Sequence, residues 1–71
     1  MKGKSPREAI ASLFELHGIP KSRTAWKAKY AEVLIGGHLR AVCLPKNATQ
    51  FTEAEFAVKR LAEAWRQEQA R

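Results

Sequence analysis

One cysteine is too few for an internal disulfide, so Cys43 excludes the cross-linked framework with which small secreted domains supplement a thin core. Long apolar runs are missing as well. The longest patches, Val33-Leu34-Ile35 and Ala41-Val42-Cys43-Leu44, fall far short of the roughly 20 residues a membrane span needs. No membrane association is expected. The opening Met1-Lys2-Gly3-Lys4-Ser5-Pro6 is basic, yet it leads into a helix pattern rather than an apolar stretch, which argues against export and for a reducing, cytoplasmic setting. The sequon Asn47-Ala48-Thr49 therefore gets no weight.

Catalytic groups are scarce too. The candidates are Cys43, His17, His38 and scattered carboxylates, and no nucleophile, base and orienting group stand at a recognisable spacing. Cys43 lies in an apolar run, where a buried thiol is inert filler, and no ligand spacing accompanies it to suggest a metal. His17 falls at the end of a helix pattern, where an imidazole caps carbonyls. Gly36-Gly37 lacks the flanking pattern of a phosphate-cradling loop. These gaps point to a binding protein with no catalytic residue, no metal and no cofactor.

What the chain does have is enough apolar residue to fold. It has 71 residues, 45% hydrophobic and 28% charged, which sets one small domain over residues 1–71 rather than a disordered tail. A domain of this size buries only about 60% of the surface its unfolded chain exposes, so the core must be thin.

Ser5-Pro6-Arg7-Glu8 is a capping box with proline at the first helical position. Ile10, Leu13, Phe14 and His17 follow as one apolar stripe, and Gly18, Ile19 and Pro20 supply the C-terminal signals, so a helix is expected over about 6–17. Near the other end, Thr52-Glu53-Ala54-Glu55 has the form of a second capping box, with Phe51 and Phe56 as a hydrophobic staple. Ala54, Ala57, Val58, Leu61, Ala62 and Trp65 then make a helical stripe, giving a helix over about 53–68 that frays once it turns polar past Trp65. Between the helices, Gly36-Gly37 separates two apolar runs and predicts a two-stranded antiparallel hairpin over about 26–44, with residues 32–35 facing 38–41, followed by a loop over 45–51. The fold class is thus α+β, helix–hairpin–helix. The alternative is all-α with three helices, because Trp26, Tyr30, Val33 and Leu34 also fit a helical stripe.

Charge supplies the functional signal. Thirteen Lys and Arg against seven Asp and Glu give a net charge of +6, and residues 1–50 carry all of that excess with nine basic and three acidic side chains. In Lys21-Ser22-Arg23-Thr24-Ala25-Trp26-Lys27-Ala28-Lys29-Tyr30, four cations interleave with two aromatics and two hydroxyls. Cations neutralise phosphates with release of counterions, hydroxyls donate to phosphate oxygens, and an exposed aromatic stacks on an unpaired base. In a strand, Lys27 and Lys29 share one face while Trp26, Ala28 and Tyr30 share the other, so both aromatics fit the core equally well. With Arg40 and Lys46 extending the basic face, the expected nucleic-acid contacts are Lys21, Arg23, Trp26, Lys27, Lys29, Tyr30, Arg40 and Lys46. The partner would be RNA or DNA, and the alternative is an acidic protein surface met by the same basic face. The unpaired edges of a hairpin also make a homodimer, or docking on another protein, physically reasonable.

The order helix, hairpin, helix invites comparison with the double-stranded-RNA-binding domain, which has a third strand and a basic cluster opening its second helix. Here that helix is expected to open on Thr52-Glu53-Ala54-Glu55, acid where that family has base, and the chain is not assigned to it.

Overall fold

The computed structural model describes residues 5–70; the opening run Met1-Lys2-Gly3-Lys4 and Arg71 lie outside the described residues. The first helix, α1 (Pro6–Leu16), begins as its sequence demands. The Ser5 hydroxyl accepts the Glu8 N–H at 3.2 Å and the Glu8 carboxylate accepts the Ser5 N–H at 3.0 Å, so the capping box is closed. Its end is equally regular. Gly18 takes φ +79°, the Ile19 N–H donates to the Phe14 carbonyl at 2.9 Å and the Gly18 N–H donates to Glu15 at 3.1 Å, which is a Schellman motif. Ile19 folds back beside Phe14, and both are buried.

A short 3-10 turn, Lys21–Arg23, leads into three strands, β1 (Thr24–Trp26), β2 (Tyr30–Ile35) and β3 (His38–Cys43). They form one antiparallel sheet in the order β1-β2-β3. The expected hairpin is therefore β2–β3, with Ile35 opposite His38 and Glu32 opposite Ala41 as the glycine turn requires. Gly36 and Gly37 both take positive φ, +59° and +81°, the backbone of a two-residue turn that matches strand twist. The all-α alternative is excluded.

The two-stranded reading is corrected by β1. The sequence predicts one strand over residues 26–35, but the chain reverses at Ala28-Lys29, where the Lys27 N–H donates to the Tyr30 carbonyl at 2.8 Å. No non-glycine residue among those described has positive φ, so this reversal uses ordinary right-handed backbone, open to most residue types. Trp26 and Tyr30 consequently lie on opposite faces of the sheet, not on a shared one. Trp26 pairs with the buried Ala31, and Tyr30 pairs with the exposed Cys43.

The second helix is longer than its sequence suggested. α2 (Ala48–Gln69) starts at Asn47, whose side chain accepts the Gln50 N–H at 2.8 Å while the Gln50 side chain accepts the Lys46 N–H at 2.8 Å. The loop 45–51 thus shrinks to a few residues, and Thr52 is no cap: its hydroxyl donates to the Ala48 carbonyl at 3.2 Å from inside the helix. Phe51 lies within the helix, so the expected staple with Phe56 does not form, and Phe56 is exposed. The C-terminal turns stay helical beyond Trp65 because Glu68 reaches the hairpin turn and accepts the Gly36 N–H.

Both helices cover one face of the sheet. Alternate residues Ala31, Val33 and Ile35 of β2 meet Ile10 and Phe14 of α1 and Ala54, Val58, Leu61 and Ala62 of α2 in a single cluster. The period of two along β2 and the three- and four-residue steps along the helices both point into it. The other sheet face, carrying Tyr30, Glu32, Leu34, Leu39, Ala41 and Cys43, has no helix over it. Cys43 is exposed there, which corrects the expectation of a buried thiol. No helix among the described residues is long and apolar enough to cross a membrane.

Candidate nucleic-acid interface

Strand parity decides which basic residues meet. β1 runs back toward the start of α1, and β3, parallel to β1, ends at the same place and delivers the chain into α2. The N-termini of both helices and the 27–29 turn therefore gather at one end of the molecule. An open groove there is lined by Ser5, Arg7, Lys27, Lys29, Pro45 and Lys46, among others. Among the described residues, four basic ones line this groove and no acidic one does.

Each cation is held differently. The Arg7 guanidinium lies 5.4 Å from the centre of the Trp26 ring, and Lys27 Nζ is 4.0 Å from Glu32 Oε1. Lys29 and Lys46 form no ion pair among the described residues. The Leu44 N–H donates to the Lys29 carbonyl at 3.0 Å, which pins the 27–29 turn to the segment that carries Lys46. The first turn of α2 has no acidic residue, so the positive end of its dipole opens beside Lys46 uncompensated. Glu53 and Glu55, which would oppose anion binding at a helix start, lie past that first turn because the helix begins at Ala48.

The expected set of contacts is divided by this geometry. Lys27, Lys29 and Lys46 come together in the groove. Lys21 and Arg23 lie at the other end of β1, and Arg23 is occupied: its guanidinium is 5.2 Å from the Trp65 ring centre, 3.9 Å from Glu68 and 3.5 Å from the Leu34 carbonyl. Arg40 projects from β3, on the edge of the sheet. Trp26 is half-buried, with its ring 5.9 Å from that of Phe14, and belongs to the margin of the core. Tyr30 is half-buried on the open sheet face. Arg7 lies outside the basic segment 21–46, and only the return of β1 brings the start of α1 to it.

Among the described residues no three His, Cys, Asp or Glu side chains are grouped to hold a metal ion. In comparison with known proteins, no family model matches the chain, and neither a curated protein nor a solved structure matches it.

Proposed function

We propose that the chain is a small nucleic-acid-binding accessory protein that holds the phosphate backbone in the groove formed by Arg7, Lys27, Lys29 and Lys46. The observation that carries this reading is the convergence of four basic residues, with no acidic residue lining the groove among those described, beside the acid-free first turn of α2. Backbone N–H groups at a helix start and neighbouring lysines make the usual phosphate cradle. The groove is open, which suits a polyanion lying across it better than a small ligand enclosed on all sides. No aromatic ring lines it, and Trp26 sits beneath Arg7 against Phe14, so contact with phosphates rather than base stacking is the mode that fits.

The element order helix, three strands, helix supplies the third strand noted for the double-stranded-RNA-binding domain, and Lys46 stands where the second helix opens. That likeness is one of element order and carries no function by itself; the groove carries the proposal.

The test is titration of nuclease-treated protein against labelled single- and double-stranded DNA and RNA at low salt. Binding that is lost on replacing Lys29 and Lys46 by Ala, with the fold intact, is the expected result. No binding to any of the four by folded protein would overturn the reading and assign the groove to an acidic protein partner.

A further inference from the structure

From the free edge of the sheet we infer that two copies of this chain pair through β3, antiparallel, about a two-fold axis at Ala41. The argument rests on backbone parity. In a two-residue hairpin the flanking residues exchange both backbone hydrogen bonds, so Ile35 and His38 do so, and Arg40 and Val42 face β2 in the same way. The Leu44 N–H, of the same parity, also points inward, to Lys29. The N–H and C=O groups of Leu39, Ala41 and Cys43 therefore point away from the sheet, where β3 has no neighbour.

Edge strands of soluble proteins are ordinarily guarded by proline, a bulge, charged side chains or very short length. β3 has six residues, pairs with β2 without a break, contains no proline, and carries Arg40 as its one Lys or Arg side chain. At three residues, β1 is far shorter. The outward groups of β3 are also self-complementary. Setting Ala41 opposite Ala41 of the second copy places each Leu39 opposite the other Cys43, so all six outward groups of each strand are paired. Shifting by one pairing step, to put Arg40 opposite Arg40, loses a third of those bonds and sets like charges face to face, which is destabilising.

Side chains on both faces fit the same register. On the open face, Leu34 and Leu39 of one copy continue into Cys43 and Tyr30 of the other, giving an apolar row across the junction; Leu39 is 65% exposed in the single chain. On the helix face, Arg40 of the second copy comes opposite Val42, which lines a groove with Glu53, Ala54 and Ala57 of α2 and with Lys29 and Lys46. Glu53 is the one carboxylate in that lining and the counter-charge open to the guanidinium, beside the two lysines. The contact occurs twice by symmetry, and the pairing of the outward backbone groups, not net charge, makes the second copy the fitting occupant of the edge. The product is one six-stranded sheet with its two basic grooves at opposite ends. This dimer does not depend on what those grooves bind.

Sedimentation equilibrium on nuclease-treated protein tests it, with a mass rising with concentration toward twice the 8.0 kDa of one chain as the expected result. In a Cys43→Ser background, Ala41→Cys should form a covalent dimer on mild oxidation, because the two residues 41 face each other. The native Cys43 pair should not, since Cys43 of one copy lies about 13 Å along the strand from Cys43 of the other, four residues at about 3.3 Å each. Glu53→Arg should weaken dimerisation several-fold, because it turns the one carboxylate of that groove into a third cation facing Arg40. All these positions are exposed, so the variants keep the fold, which circular dichroism checks. A monomer at every concentration overturns the inference. So does a dimer that Ala41→Cys fails to trap, or one indifferent to Glu53→Arg, since it would be built on another surface.

Discussion

The guanidinium of Arg23 lies 5.2 Å from the centre of the Trp65 ring and 3.9 Å from the Glu68 carboxylate, joining the turn before β1 to the last turns of α2. Glu68 also accepts the Gly36 N–H, so one carboxylate ties the helix end to the glycine turn. Its other oxygen is buried with no hydrogen bond of its own and has Arg23 as its nearest cation. This cluster explains why a helix with a polar C-terminal third does not fray.

Arg23→Ala should therefore lower stability by about 1 kcal/mol, the sum of a partly exposed cation–π contact and a partly exposed ion pair. Denaturant midpoints measure it. Nucleic-acid affinity at low salt should be unchanged, and a lost affinity in the folded variant would return Arg23 to the binding surface.

The start of α2 gives a paired prediction. Asn47→Ala removes the side chain that accepts the Gln50 N–H and should cost about 1 kcal/mol, whereas Thr52→Ala, exposed and inside the helix, should stay within about 0.5 kcal/mol. Chemical denaturation of the two variants side by side checks the ranking, and the reverse order would move the helix start to 52.

Much of this fold could be read from the chain because the signals were local. The cap at Ser5, the stop at Gly18-Ile19 and the register about Gly36-Gly37 each depend on residues within a few positions of one another. The sequence misleads where two local signals compete or none exists. Thr52 and Glu55 have the spacing of a capping box, but so do Asn47 and Gln50 behind Pro45, and helix starting at 48 buries Ala54, Val58 and Leu61 in the same stripe. β1 was hidden because its turn, Ala28-Lys29, contains neither glycine nor proline. The groove could be read only in part: Lys27, Lys29 and Lys46 were visible as a basic run, but separating them from Arg23 and Arg40, and adding Arg7, required the path of β1 and β3.

Trp26 separates packing from stacking. Its half-buried ring lies against Phe14, so Trp26→Ala should cost about 2–3 kcal/mol, somewhat below the usual loss for a fully buried aromatic, and leave a thin-cored domain largely unfolded. Trp26→Phe keeps an aromatic against Phe14 and should fold. Its affinity for single-stranded oligonucleotide, measured by fluorescence anisotropy, should match the parent; a loss confined to single strands would show that the indole stacks on bases after all.

The groove itself is tested by salt. If Arg7, Lys27, Lys29 and Lys46 each neutralise one duplex phosphate, log affinity should fall with log salt at a slope of about −3.6, from about −0.9 per phosphate. Between 50 and 200 mM salt that slope amounts to a loss of about a hundredfold. Replacing Lys29 and Lys46 by Ala removes the two groove cations that have no ion pair among the described residues, and should flatten the slope to about −1.8. Lys27→Ala alone should change it by less than one full contact, because Glu32 lies 4.0 Å from Lys27 and already shares its charge. Every sequence should be weakened alike, since phosphate contacts carry no base information. Replacing Lys21 and Arg40 instead should leave the slope near that of the parent, as both lie outside the groove; an equal flattening there would show that binding follows total charge rather than the site at the start of the two helices.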